Sequence, residues 1–419
     1  MVKGEVCEKG APAPEIQTDL RGYFTLDFNP FDIEPGKDVA AWYIQPDGNC
    51  VGAVFRGSPS PGPIQAAINA GGGRRHSLHP PGVYTETISF NGKNITLRSE
   101  DPEDVAVVQA TVIDGGRAGS VVTFDGGEIN AAVPSGFTIR NGLSRFGAGI
   151  RILGASPTIT NNIIDRNGGK AGGAVYVEGN AASPIIRGNR ITDNIATEWG
   201  GGMAIRAGAS PLVENNVVTG NLALDGSGIT IAREASPVVE NNTITDNWAG
   251  VDMHFPLHAQ QHLDGVDLRE PLDATPTPGG GIAIIGDSSP IVEHNTIRRN
   301  RGRLLGGGML VAQNSSPHVL ANCIAENSAE WGAGIRIFGH SSPLIKGNTV
   351  LSNTAEFGAG GLYVWDNANP FLADNVIEGN LSHQGGAALW VDRTSSVLDE
   401  DGVPLDPASV FTLLEETDS

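Results

Sequence analysis

Arg336, Tyr363 and Trp390 follow one another at intervals of 27 residues, and Trp365 lies two residues beyond Tyr363. Aromatic faces beside a guanidinium suit sugar rings and uronate carboxylates: the rings offer apolar faces, and the planar cation pairs an anion at two points. The same residues could instead cover a sheet face or an oligomer contact. Glu330 precedes Trp331, and 26 residues later Glu356 precedes Phe357. Two carboxylates within about 5 Å would raise one another's pKa or hold a cation such as Ca²⁺. With Arg336 neutralising a substrate carboxylate, they would also supply acid/base catalysis of a polysaccharide lyase or glycoside hydrolase. The bland alternative is a pair of solvated acids; Glu198 before Trp199, and Asp225, occupy related positions. His254, His258 and His262 are spaced to share a helical face and hold a transition metal, although Pro256 interrupts that face. No Ser-His-Asp order, P-loop or dinucleotide fingerprint is present.

The elements that position these residues come from an internal repeat. Pro157, Pro184, Pro211, Pro237, Pro290, Pro317, Pro343 and Pro370 recur every 26 or 27 residues, with one doubled interval. Five residues after each stands an Asn (Asn162 to Asn375), and ten residues after stands another (Asn167 to Asn380). Between them fall short apolar segments of strand length, such as Ile159, Ile164 and the alternating Val175/Val177. Three short strands and three turns in about 27 residues close one coil of a stacked parallel solenoid, with equivalent residues about 4.8 Å apart. Asn at the same turn of every coil is then expected to form a hydrogen-bonded ladder, a structural rather than catalytic role. Arg151, Tyr176, Ala204, Thr230, Ala283, Leu310, Arg336, Tyr363 and Trp390 form a row pointing outward between apolar pairs.

Composition agrees with this reading. The chain has 57 Gly and 26 Pro in 419 residues, which excludes a mainly helical protein. Gly pairs such as Gly172-Gly173 and Gly201-Gly202 punctuate one corner of each coil. A net charge of −20 argues against nucleic acid and anionic membrane partners, and no apolar run is long enough for a membrane span. Cys7, Cys50 and Cys323 show no zinc spacing; Cys7–Cys50 could form a bridge. The first residues lack the apolar segment of a secretory signal, as expected of an intracellular chain or a piece of a longer one.

The run Ile64-Gln65-Ala66-Ala67-Ile68, then Pro81-Gly82-Val83-Tyr84, then Asn94-Ile95-Thr96-Leu97-Arg98-Ser99, precedes the repeated Ser-Pro-x-Ile-x-x-Asn-x-Ile-x-x-Asn. Together these resemble bacterial right-handed parallel β-helix repeat proteins of the pectin-lyase-like superfamily, over residues 62–393. The resemblance implies an all-β, right-handed parallel β-helix of roughly 10–12 coils. It also implies an extracellular or cell-surface setting, a polysaccharide or surface glycan as partner, and a binding groove along the sheet that bears Tyr363 and Trp390. A non-catalytic adhesion module of a larger surface protein fits the same fold. One departure lies at residues 74–80, Arg-Arg-His-Ser-Leu-His-Pro, where the expected hydrophobic strand would be missing or distorted. The organisation read from sequence is a partial β-rich module at 1–57, a linker at 58–62 and the solenoid at 63–393. The solenoid opens with a helical cap and carries a loop insertion at 248–278; an acidic tail follows at 394–419.

Overall fold

A computed structural model of the chain describes residues 63–70, 76–224, 226–250, 279–399 and 402–405, together with the strands Gln17–Thr18, Phe24–Thr25, Asp38–Ile44 and Cys50–Arg56. Two units are distinguished, 1–63 and 64–419. In the first, Asp38–Ile44 and Cys50–Arg56 pair antiparallel, with Ile44 opposite Cys50, as the alternating residues predict. Gln17–Thr18 pairs antiparallel with Phe24–Thr25.

The second unit is a parallel β-solenoid. One coil shows the pattern: Thr158–Thr160, Ile163–Asp165, Gly168–Ala171 and Val175–Glu178. Stacking equivalent strands gives four parallel sheets, here called A, B, C and D in that order, with 11, 11, nine and 11 strands. Sheets A, B and D enclose one continuous core in which Ile159, Ile164, Val175 and Val177 and their equivalents are fully buried. Each such aliphatic side chain contributes roughly 1.5–3 kcal/mol by leaving water. Sheet C is the finding that the repeat did not predict. Its strands are short, and they fold back over the outer face of sheet D instead of lining the core.

Both Asn ladders form. Asn162 starts a chain of Nδ2–H···Oδ1 bonds through Asn189, Asn216, Asn242, Asn295, Asn322 and Asn348 to Asn375, at 3.0–3.2 Å. A second runs from Asn167 through Asn194, Asn221, Asn247, Asn300, Asn327 and Asn353 to Asn380, at 2.9–3.1 Å. The links Asn242–Asn295 and Asn247–Asn300 cross the doubled interval, so residues 251–278 are an excursion from an unbroken stack. Residues before the ladder, including Arg166 (φ 53°) and Ala321 (φ 51°), take left-handed backbone, a conformation tolerated because the neighbouring amides fix the turn.

The first coil corrects one expectation. His76–His79 is a regular strand of sheet A, paired His76 to Thr96 and His79 to Ser99. Its polar sequence is accommodated because His79 packs its ring against Tyr84 and Phe137, and burial lowers its pKa. The helix Ile64–Ala70 buries Ile64 and Ile68 in the end of the core, the capping role read from sequence. Glu86 accepts hydrogen bonds from the first two helical N–H groups, at 2.6 and 3.0 Å. Among the described residues no helix is long and apolar enough to cross a membrane.

Candidate functional site

The outward row of sheet D points away from the core as expected, but sheet C covers most of it. Strand residues alternate, so in Ser328–Trp331 and Thr354–Phe357 the outer-sheet residues Trp331 and Phe357 face sheet D. Trp331 stacks on Phe357 at 4.9 Å and meets the Tyr363 ring edge-on at 5.9 Å. Tyr363 in turn stacks on Trp390, with centroids 4.6 Å apart and planes 5° from parallel. The expectation that Tyr363 stands in an open groove is therefore corrected: it is 5% exposed.

Arg336 lies beneath this layer. It is 6% exposed, with its guanidinium carbon 4.7 Å from the Tyr363 ring centre, 5.3 Å from Phe338 and 5.7 Å from Trp365. These are cation–π distances. Its Nε and Nη1 are buried and make no hydrogen bond. Burial lowers its pKa to about 10, partly opposed by the Tyr363 hydroxyl, so it remains a cation at neutral pH. The aromatic wall takes the place of a carboxylate partner, leaving two donors unspent. Trp365 is 43% exposed and Trp390 half-buried, so the cluster reaches solvent through these two indoles. Asp392, next in register after Trp365, has Oδ1 buried without a partner.

Glu330 and Glu356 do sit in adjacent strands of sheet C. Alternation, however, turns them to the solvent face of that sheet, while Ala355 and the aromatic rings turn inward. Sheet C thus lies between the two acids and Arg336, and the proposed acid/base trio is not assembled in one place. Nor do the described residues gather three or more His, Cys, Asp or Glu side chains that could hold a metal ion, Ca²⁺ included. Glu330→Gln and Glu356→Gln are accordingly expected to leave thermal stability within about 0.5 kcal/mol of wild type, checked by melting curves. His254, His258, His262 and Asp225 lie outside the described residues, as does any bridge from Cys7.

A second buried cluster went unread in the sequence. Arg206 places its guanidinium 4.3 Å over Trp199, with Nε unpaired, and Tyr176 donates from its hydroxyl to Glu178 at 2.8 Å. Burial, reinforced by Glu178, pushes the Tyr176 pKa up to about 12. Glu198 is buried and pairs with Lys170 at 3.0 Å. The signal for it was the aromatic residue closing the sheet C strands, since Phe146 and Trp199 repeat the placing of Trp331 and Phe357.

Residues 89–255 and 273–400 match the family described as "Right handed beta helix region". The chain belongs to this right-handed β-helix family. The match covers most of the stacked coils and agrees with the parallel register of all four sheets. No curated protein and no solved structure matches the chain.

Proposed function

We propose that this right-handed β-helix protein is a bacterial surface or secreted protein that binds carbohydrate at the C-terminal coils. Trp365 and Trp390 offer indole faces to a sugar ring, and Arg336 supplies positive charge directly beneath them. The observation that carries this reading is the exposed Trp365 indole above a cation whose Nε and Nη1 have no partner. Such a platform favours an acidic polysaccharide over a neutral one, because a desolvated guanidinium is compensated best by an anion. The separation of Glu330 and Glu356 from Arg336 favours binding without cleavage by these residues.

The test is affinity electrophoresis against neutral and uronate-containing polysaccharides. Trp365→Ala and Trp390→Ala should each weaken binding about tenfold, the loss typical of an aromatic anchor. Unchanged mobility of both variants would overturn the site. Absence of binding to every polysaccharide would leave an adhesion or scaffold role for the solenoid.

A further inference from the structure

Outside sheet B, the short helix Val105–Ala110 lines one wall of an open cleft of about 900 Å³. Its floor is formed by Thr138–Arg140, Ile163–Asp165 and Arg190–Thr192. Asp165 is 9% exposed; its Oδ2 accepts from Arg166 at 2.8 and 2.7 Å, while its Oδ1 is buried with no hydrogen-bond partner. Burial is the largest influence on this carboxyl and raises its pKa, against the opposing charges of Arg166 and Arg140. Arg140 is held by Asp114 at 3.1 Å. Arg190 also faces the cleft, and among the described residues it makes no ion pair or side-chain hydrogen bond. In a chain of net charge −20, this cleft gathers three guanidiniums against Asp165 and Glu103.

We propose that the cleft binds a hydroxycarboxylate, whose carboxylate pairs with Arg190 and whose hydroxyl donates to Asp165 Oδ1. An unspent, buried acceptor requires a donor, and a free guanidinium on the neighbouring strand of the same cleft floor requires an anion. A phosphate dianion meets the second need, but it brings more negative charge to Asp165 and no carbon-bound hydroxyl. The cleft's volume admits either a small acid or a longer polyhydroxy acid. It is separate from the aromatic cluster around Arg336, so its test is independent of the carbohydrate proposal.

The experiment is isothermal titration of the whole chain with L-malate, D-gluconate and succinate, the last lacking the hydroxyl. Malate or gluconate should bind at least about tenfold more tightly than succinate, because a site built around a hydroxyl leaves a buried group unpaired without it. Asp165→Ala should erase that preference. Arg190→Ala should weaken all three acids by about tenfold or more while keeping the preference, and should leave the melting temperature unchanged because Arg190 has no partner to lose. Malate binding without gluconate assigns the small free acid, and the reverse assigns the longer one; both uphold the site. No saturable binding at about 10 mM, well above the millimolar affinity worth roughly −4 kcal/mol, overturns the proposal. Equal affinities in wild type and both variants overturn it as well.

Discussion

Asn221→Ala is expected to destabilise the solenoid by about 3–5 kcal/mol, among the largest effects of any single polar substitution in the chain. The Asn221 side chain accepts from the Asn194 backbone N–H at 3.1 Å and from Asn194 Nδ2 at 3.0 Å. Its own Nδ2 donates to Ile191 O, Thr219 O and Asn247 Oδ1 at 3.0–3.2 Å. Alanine removes all of these and leaves the buried Asn194 N–H without a partner. Asn375, at the end of the first ladder and half-buried, donates only to Ile345 O at 2.7 Å, so water can replace much of what Asn375→Ala removes. That variant should lose roughly 1–2 kcal/mol.

Asn221→Asp separates charge from shape. The introduced carboxylate still accepts from Asn194, but it points lone pairs at Ile191 O and Asn247 Oδ1, and it is buried. Burial and these acceptors raise its folded pKa above the unfolded value near 3.9. In the folded state the group therefore holds its proton to higher pH than in the unfolded state. Stability is best below about pH 4 and falls as pH rises toward the folded pKa. Melting curves between about pH 4 and 8 should show the gap from wild type widening with pH. A gap that narrows with rising pH would show that the ladder does not run donor to acceptor as described.

The ladders, the core and the coil spacing were legible because they depend on one residue type recurring at one register. Two Asn positions and four aliphatic positions per coil suffice to place sheets A, B and D. Sheet C was not legible, for a physical reason. Gly168–Ala171 sets only small residues against sheet D, and Ser328–Trp331 adds a single aromatic, so such strands lack the apolar pair that marks the others. The consequence falls on the candidate site. Arg336 and Tyr363 were correctly placed on the outward row, yet a strand without an apolar signature covers them and faces Glu330 and Glu356 the other way. The repeated Ala-Glu-aromatic at 329–331 and 355–357 was the available sign, with the aromatic inward and the acid outward. The cleft beside Val105–Ala110 was missed because its floor combines residues of three successive coils. Only Asp104, which accepts from Ala106 N at 2.8 Å, marks the helix in sequence.

Gly200→Ala is expected to cost about 3–5 kcal/mol, whereas Gly154→Ala should cost only about 1 kcal/mol, although both glycines are left-handed. Gly200 has φ +62° and Gly154 φ +57°, so the backbone penalty for alanine is similar at the two sites. They differ in the space around them. A methyl group at Gly154 meets nothing within 4 Å. At Gly200 it overlaps the Met203 carbonyl, with its carbon at 2.6 Å and the Ala204 nitrogen at 2.9 Å, atoms that cannot rotate away. This corner turns the chain from sheet C back into sheet D, and Gly147, Gly172, Gly306 and Gly332 repeat it with φ between +56° and +67°. Melting temperatures of the two variants measure the difference directly; equal losses would mean that the turn relaxes around a side chain. Gly332→Ala extends the argument to the candidate site, because its methyl group would press on Tyr363 Cβ at 2.9 Å and Arg336 Cβ at 3.0 Å. Displacing those two atoms separates the guanidinium from the aromatic wall, so this variant should lose both stability and the near-ultraviolet dichroism of the stacked Tyr363 and Trp390. The glycine corner therefore fixes the distance between sheets C and D, and with it how deeply Arg336 is buried.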